Sequence, residues 1–300
     1  MVSEVRRFNR VVTQRVGALR DHFLSRSRPL GEARLLWEIG DEGRDVRWLR
    51  SRLDLDSGYL SRLMRSLEAA GLLTVEPSEH DRRVRTVRLT AAGRLERAAV
   101  DQHGDEVARS LLEPLGDEQR GRLVTAMREV ERLLTAALVE IGPVDPTHPD
   151  AQHCLRHYFA ELDVRFDAGF DPDVGLGADL AQFRPPTGTF LVASLRSEPI
   201  GCGALRFQPD GATDLKRMWI APSVRGLGIG RRLLGELEAR AVAAGSRLVR
   251  LETNRTLTEA IAMYRAAGYR EVPPFNDEPY GHHWFAKDVG SAGAAASRAG

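Results

Sequence analysis

Cysteine is almost missing from this chain. Its 300 residues hold only Cys154 and Cys202, too few for a disulfide framework or a cysteine-built metal cluster. Long apolar runs are missing too: none approaches the roughly 18 residues that a membrane-spanning helix needs. The start, MVSEVRRFNRVV, has no apolar core of the signal-peptide kind. Lysine is nearly absent: Lys216 and Lys287 are the only two among 43 cationic residues. An arginine bias of that kind assigns no function by itself. Neither charge sign is in excess, since 43 Lys and Arg face 42 Asp and Glu for a net +1, which excludes a uniformly basic nucleic-acid binder. Together these absences predict a soluble, reduced, cytoplasmic protein with no membrane partner. What is present excludes disorder. Hydrophobic residues at 42% and charged residues at 28% supply packed cores, and the length fits two domains better than one.

The division is marked by Gly142-Pro143-Val144-Asp145-Pro146-Thr147-His148-Pro149, where three prolines in seven residues forbid a continuing helix. The reading is a first domain over 1–141, a connector over 142–150, a second domain over 151–288, and a Gly/Ala/Ser-rich, disordered tail over 289–300. The first domain reads as mainly helical. Val5, Phe8, Val12, Val16, Leu19 and Phe23 recur every three or four residues, as do Leu123, Met127, Val130, Leu134, Leu138 and Ile141, and each set makes an amphipathic helix. Between them the pattern predicts helices at about 32–39, 45–53 and 57–69, strands at 72–76 and 83–89, and a helix from about Thr90. The second domain alternates, which predicts an α/β or α+β fold. Its helices fall at about 151–166, 229–244 and 256–267, and its strands at 189–195, 200–207, 215–220, 248–253, 269–272 and 283–287.

Helix, helix, helix and a two-stranded hairpin is the order of a winged helix-turn-helix. In the third helix, Ser57 is a suitable N-cap. Leu60, Leu63, Met64 and Leu67 share the buried face, so Tyr59, Ser61, Arg62, Arg65 and Ser66 point outward. Such a face suits the major groove, where arginine grips guanine with two hydrogen bonds, although a solvated helix face shows the same pattern. The hairpin carries Arg82, Arg83, Arg85 and Arg88, and arginine near a thin hairpin tip suits the minor groove, where the potential is most negative. With Leu60-Ser61-Arg62 through Gly71-Leu72, the Asp81-x-Arg83 wing and Leu89-Thr90-x-x-Gly93, residues 4–141 resemble the MarR family of transcription regulators. The resemblance implies a homodimer joined through the terminal helices, with Ser57, Tyr59, Ser61, Arg62, Arg65, Arg82, Arg83 and Arg85 facing double-stranded DNA.

In the second half, the strand Leu215–Ile220 runs into Arg225-Gly226-Leu227-Gly228-Ile229-Gly230-Arg231 and then a helix. Glycines let backbone N–H groups approach an anion, and the helix N-terminus adds its dipole, so a pyrophosphate is the expected guest. The spacing is neither the dinucleotide fingerprint nor a Walker loop. Arg225-x-x-Gly228-x-Gly230 resembles the acetyl-CoA signature of the GNAT N-acetyltransferase superfamily. The resemblance implies that Met218, Trp219 and Ile220 hold the pantetheine arm by backbone hydrogen bonds, that the amides from Arg225 to Arg231 hold the pyrophosphate, and that an amine attacks the thioester directly. Asn254 and the run Ala260 to Tyr269 are similar to the superfamily's later motif. There Tyr264 falls beside the coenzyme's sulfur, where a phenol protonated at pH 7 can donate to the departing thiolate, and Asn254 contacts the coenzyme or orders water.

The general base is open among Asp214, Glu252, His282 and His283, with Glu252 favoured by its place on the strand after the loop helix. Asn276, Asp277 and Tyr280 are the expected contacts of a small primary amine, such as an amino acid. No metal is expected, because His148, His153 and His157 straddle a connector and a helix start without partners. One departure stands out: 151–188 shows no first strand, and a helix takes its place. Two rival readings remain. In one the second domain senses acetyl-CoA without catalysis, and in the other the first domain only dimerises.

Overall fold

The computed structural model describes residues 1–15, 28–77, 85–167, 169–171 and 180–290. Val16, Leu19 and Phe23 of the first stripe, Arg82 and Arg83 of the wing, and residues 291–300 of the tail lie outside the described residues. The chain divides into two compact units, Met1–Glu129 and Val130–Gly300.

In the first unit, helix α1 (Val2–Arg15) buries none of its residues. Helices α2 (Leu30–Ile39), α3 (Val46–Leu53) and α4 (Ser57–Ala69) follow, with the two-residue strand β1 (Arg44–Asp45) between the first two. Strands β2 (Leu73–Pro77) and β3 (Arg85–Leu89) form the hairpin, and β1 joins it on the far side of β3. Leu35, Leu36, Ile39, Leu49, Leu60, Leu67, Leu73 and Val87 close one core between the helices and this sheet. Capping sets the boundaries. Asp45 caps α3 through the Arg47 N–H at 2.5 Å. Asp56, not Ser57, caps α4: its carboxylate accepts the Tyr59 N–H at 2.9 Å, and Ser57 becomes the first helical residue. Helix α5 (Ala91–Leu112) starts at Thr90, whose hydroxyl accepts from the Gly93 N–H and donates to the Gly71 carbonyl. Gly93 is obligatory there, because a Cβ would meet the Leu72 carbonyl oxygen at 1.9 Å.

Helix α6 (Asp117–Ala137) ends four residues before the helical stripe predicts. Val139–Pro143 is a strand, β4, paired antiparallel with β5 (Gly188–Leu195) from Val139 opposite Leu195 to Pro143 opposite Leu191. The expected connector therefore opens as the edge strand of the second unit, where a proline is tolerated because no further ladder needs its N–H. Helix α7 (Pro149–Arg165) comes after this strand and does not replace it. The apparent lack of a first strand arose because Leu138 and Ile141 fit a helical spacing, whereas it is the neighbouring Val139 that is buried, at 1% exposure.

The sheet continues through β6 (Glu198–Phe207), β7 (Ala212–Ile220) and β8 (Leu248–Thr253) to β10 (His283–Asp288) and the edge strand β9 (Arg270–Val272), in the order β4-β5-β6-β7-β8-β10-β9. All neighbours are antiparallel except β7 and β8, which helix α8 (Ile229–Ala243) connects. Leu233, Leu234 and Leu237 of α8 pack on Leu205, Leu215, Val249, Leu251 and Phe285 of the sheet. Helix α9 (Thr258–Ala266) adds Ile261 and Tyr264 to the same core. The β6–β7 ladder slips once. Cys202 pairs with Trp219 and Ala204 with Lys216, so Arg217 and Met218 together oppose Gly203 in a β-bulge. Arg217 there has φ of +57°.

Candidate active site and nucleic-acid interface

Strand β7 and helix α8 present the glycine loop. After Ile220 a short 3-10 turn, Pro222–Val224, leads to Arg225, Gly226 and Gly228. Gly226 and Gly228 have φ of +76° and +78°, conformations that L side chains rarely adopt. Gly228 is the N-cap of α8 and provides no side-chain hydrogen bond to the helix. The first-turn N–H groups thus have no side-chain cap, and with the helix dipole they form an anion-binding end. A Cβ on Gly228 would meet nothing within 4 Å, so the space over the loop is open. The residues present fit a pyrophosphate.

Salt bridges fix the loop from below. The Arg225 guanidinium donates to the Ile220 carbonyl at 2.9 Å and to Glu161 of α7. Glu161 also accepts from the Trp219 indole N–H at 2.9 Å and from Arg165 at 3.3 Å. Burial opposes its ionisation, but the hydrogen bonds from Arg225 and Trp219 outweigh it and hold the carboxyl below its ordinary range. Arg132, in the last turns of α6, donates to the Gly226 carbonyl, and Arg232 of α8 donates back to Ala136.

Beside the loop the sheet opens. Strands β7 and β8 pair only from Ala212 opposite Leu248 to Asp214 opposite Arg250. Past Asp214, β7 keeps β6 on one side and diverges from β8 on the other. A cavity fills this wedge, lined by Lys216, Arg217 and Met218 from β7 and by Glu252 and Thr253 from β8. Asn254, Tyr264, Tyr158, Phe166, Glu278 and Tyr280 complete the lining, with Phe170 beside them. Tyr264 is 5% exposed. Burial pushes its hydroxyl well above the usual 10, with the charges of Tyr158 and Glu252 acting in the same direction, so it remains a proton donor. Burial likewise pushes Tyr158 up to about 12, against the opposing charge of Arg217. Glu252 forms an ion pair with Lys216, and its other oxygen accepts from the Asn276 amide at 3.2 Å. The Trp284 indole donates to Asn276 at 2.8 Å, completing the support.

The structure therefore brings Met218, Glu252, Asn254, Tyr264 and Tyr280 to one cavity and Arg225 to Arg231 to one loop next to it. Trp219 is on the other face of β7, packed against α7. Asn254 uses both ends of its amide on the protein, donating to the Tyr280 carbonyl and accepting from the Thr256 N–H. Asn276 lies behind Glu252 rather than in the cavity, and Asp277 is exposed and outside its lining. Two base candidates drop out. Asp214 is 1% exposed and held by Arg206, Arg250 and Gln208, and His283 binds Glu271 away from the cavity. Arg217, Glu161, Tyr158 and Glu278 went unmarked in the sequence, since a bulge and contacts across many residues leave no local signal.

On the first unit, Leu60, Leu63, Met64 and Leu67 are buried, while Ser57, Tyr59, Ser61, Arg62, Arg65 and Ser66 are exposed. The Arg62 guanidinium lies over the Tyr59 ring at 5.5 Å, and the Ser66 hydroxyl donates to Glu32. Arg85 is exposed at the start of β3.

A strand, an uncapped glycine loop and a helix beside a parallel strand pair that splays open define an acyl-CoA-using transferase. Comparison with known proteins agrees. The model of the acetyltransferase (GNAT) family matches residues 152–269, and that of the MarR family matches residues 26–84. An IAA acetyltransferase of Azospirillum brasilense is 40% identical over 104 residues, 34% of this chain and 67% of that protein. An uncharacterized N-acetyltransferase of Schizosaccharomyces pombe is 28% identical over 43% of this chain and 80% of its own. A solved acetyltransferase of the GNAT family from Staphylococcus aureus aligns with a TM-score of 0.44 at 18% identity, over 50% of this chain and 99% of that one. The chain belongs to the GNAT acetyltransferases through its second half and carries a MarR-family segment in its first. It is an N-acetyltransferase.

Proposed function

We propose that the protein is a bifunctional transcription regulator and acetyl-CoA-dependent N-acetyltransferase acting on a small primary amine. The observation that carries the enzymatic half is the wedge between β7 and β8, with the open glycine loop at one end and the buried Tyr264 hydroxyl on its wall. In this reading the backbone of Met218 to Ile220 and the amides of Arg225 to Arg231 bind acetyl-CoA, and Tyr280 faces the acceptor. Glu252, paired with Lys216, has lone pairs to spare on both oxygens and takes one proton from the bound ammonium, leaving a free amine. That amine nitrogen forms the new C–N bond as the C–S bond breaks, and the second proton it then sheds passes to solvent, leaving a neutral amide. Tyr264 donates its proton to the departing thiolate and is reprotonated from solvent.

In the same reading the first unit is the DNA reader. Tyr59, Ser61, Arg62 and Arg65 project from one exposed face of α4, with Ser57 at its start and Arg85 exposed at the start of β3, and Arg82 and Arg83 are assigned to the DNA with them. Exposed apolar residues on α1 and α6 support a homodimer. No described helix is long and apolar enough to cross a membrane. Release of free coenzyme thiol across a panel of amines tests the enzyme. Acetyl-CoA binding with no turnover of any amine would leave only a sensor. Gel shift with the DNA upstream of the protein's own gene tests the regulator, and absence of binding at low salt would leave only a dimerising module.

A further inference from the structure

The cavity that holds Tyr264 carries more information about its acceptor than the requirement for an amine. One wall is aromatic. Phe170 lies 4.9 Å from Tyr280 and 5.8 Å from Phe166, ring centre to ring centre, and Phe166 lies 5.6 Å from Tyr280. The Tyr280 hydroxyl accepts the Asp171 N–H at 3.0 Å, so that ring is held in place. The wall offers an apolar side chain a rigid surface of faces and edges.

Charges of both signs face this wall. Glu252 is already paired with Lys216. Arg217 and Glu278 also line the cavity, and both act electrostatically on Tyr158. Arg217 reaches the cavity through an unusual backbone. It is a non-glycine residue at φ +57° inside a strand, in the bulge opposite Gly203. Such a conformation is unfavourable for a residue with a side chain and persists only where the surrounding fold imposes it. The Arg217 carbonyl accepts from Cys202 at 3.2 Å, and its guanidinium lies 5.0 Å over the Phe159 ring. The fold thus holds a strained backbone that sets a planar guanidinium fork over an aromatic ring, on a residue that lines the cavity.

We infer that the acceptor is an α-amino acid with an aromatic or large apolar side chain, its carboxylate read by Arg217, its ammonium held by Glu278 together with the Glu252 that deprotonates it, and its side chain read by Phe166, Phe170 and Tyr280. Arginine suits the first task because its fork matches a carboxylate with two hydrogen bonds. This inference rests on the amine-acetyltransferase reading and adds the substrate class to it.

The test is steady-state thiol release by the full-length protein with acetyl-CoA and five acceptors: phenylalanine, phenylalaninamide, phenethylamine, alanine and putrescine. Phenylalanine is expected to show kcat/KM at least about 10-fold above the amide and the decarboxylated amine, and above alanine, which lacks the ring. In Arg217→Gln the ratio of phenylalanine to phenethylamine is expected to collapse to within about 3-fold of one, with Arg217→Lys intermediate. Should either variant fail to fold, the wild-type ratios decide alone. Equal turnover of phenylalanine and phenethylamine, or a preference for putrescine or alanine, overturns the inference and leaves the acetyltransferase reading standing. No turnover of any amine, with acetyl-CoA still binding, removes that reading and this inference with it.

Discussion

Tyr264 is the side chain on which the proposed chemistry is most exposed to test. Its hydroxyl is buried and displaced upward from 10, so the folded enzyme keeps this proton throughout the neutral and mildly alkaline range. Tyr264→Phe is therefore expected to lower kcat by about 10²-fold, the usual scale for one acid–base group, with acetyl-CoA affinity unchanged. In the wild type the kcat profile shows no alkaline loss assignable to Tyr264 below pH ~10. Unchanged turnover in the variant would remove Tyr264 as the acid. Asp214 gives a stability prediction with the opposite direction of shift. Burial works against its ionisation, but hydrogen bonds from Arg206 and Arg250 outweigh burial and depress its pKa below 3.8. As pH falls below 3.8 the unfolded chain takes up this proton before the folded one does. The contribution is therefore complete above the unfolded value and is lost as pH drops through the folded value. Asp214→Asn is expected to destabilise the second unit by about 3 kcal/mol at pH 7, since it leaves two guanidiniums facing a neutral amide. It should also flatten the acid limb of stability, which thermal melts from about pH 5 down to about pH 2 would show. Tyr264 was legible because it falls in a motif. Asp214 was legible only as a carboxylate, because its arginine partners come from two other strands.

At the scale of elements, propensity and periodicity located most helices and strands to within a few residues, β8 without error, because each has its own apolar pattern and turn chemistry. Strand β4 was not legible, since its pairing with β5 is tertiary and its residues also fit the end of a helical stripe. The cap of α4 was misplaced by one residue because Asp56 and Ser57 are both good capping residues and only backbone geometry separates them. Two elements yield predictions. In the glycine loop, Gly228→Val puts a β-branched residue at φ +78° and should raise the Kd for acetyl-CoA at least 10-fold by distorting the helix start. Calorimetry with acetyl-CoA measures it, and unaltered affinity would show that the loop does not bind the pyrophosphate. In α4, Arg62→Ala should cost about 1–3 kcal/mol on the operator and less on unrelated duplex. Arg85→Ala should weaken both alike and reduce the salt slope by about one.

For the whole chain, a net charge of +1 excludes only a uniformly basic binder, because charge acts where it is placed. Arg62 and Arg65 share one exposed face, and Arg85 is exposed on the hairpin, while acids elsewhere cancel them in the total. The same contrast between composition and placement applies to apolar surface. Helix α1 is amphipathic but buries nothing, leaving Val5 58%, Phe8 49% and Val12 36% exposed, and α6 leaves Met127 49%, Leu133 63% and Leu134 64% exposed. An apolar stripe repeated on two helices and left to water is disfavoured by roughly 25 cal/mol for each Å². A second copy covering both stripes relieves that cost and also supplies the two half-site readers that a winged helix dimer needs. The protein is therefore expected to sediment as a dimer at micromolar concentration. Phe8→Asp, which places a charge in the middle of the stripe, should shift it toward monomer and weaken operator binding at least 10-fold, because each half-site is then engaged independently. Thiol release per chain should hold in the same variant, since Phe8 is remote in sequence from every residue assigned to the transferase. A wild type that sediments as a monomer, or a variant that stays dimeric, would rule out these stripes as the interface.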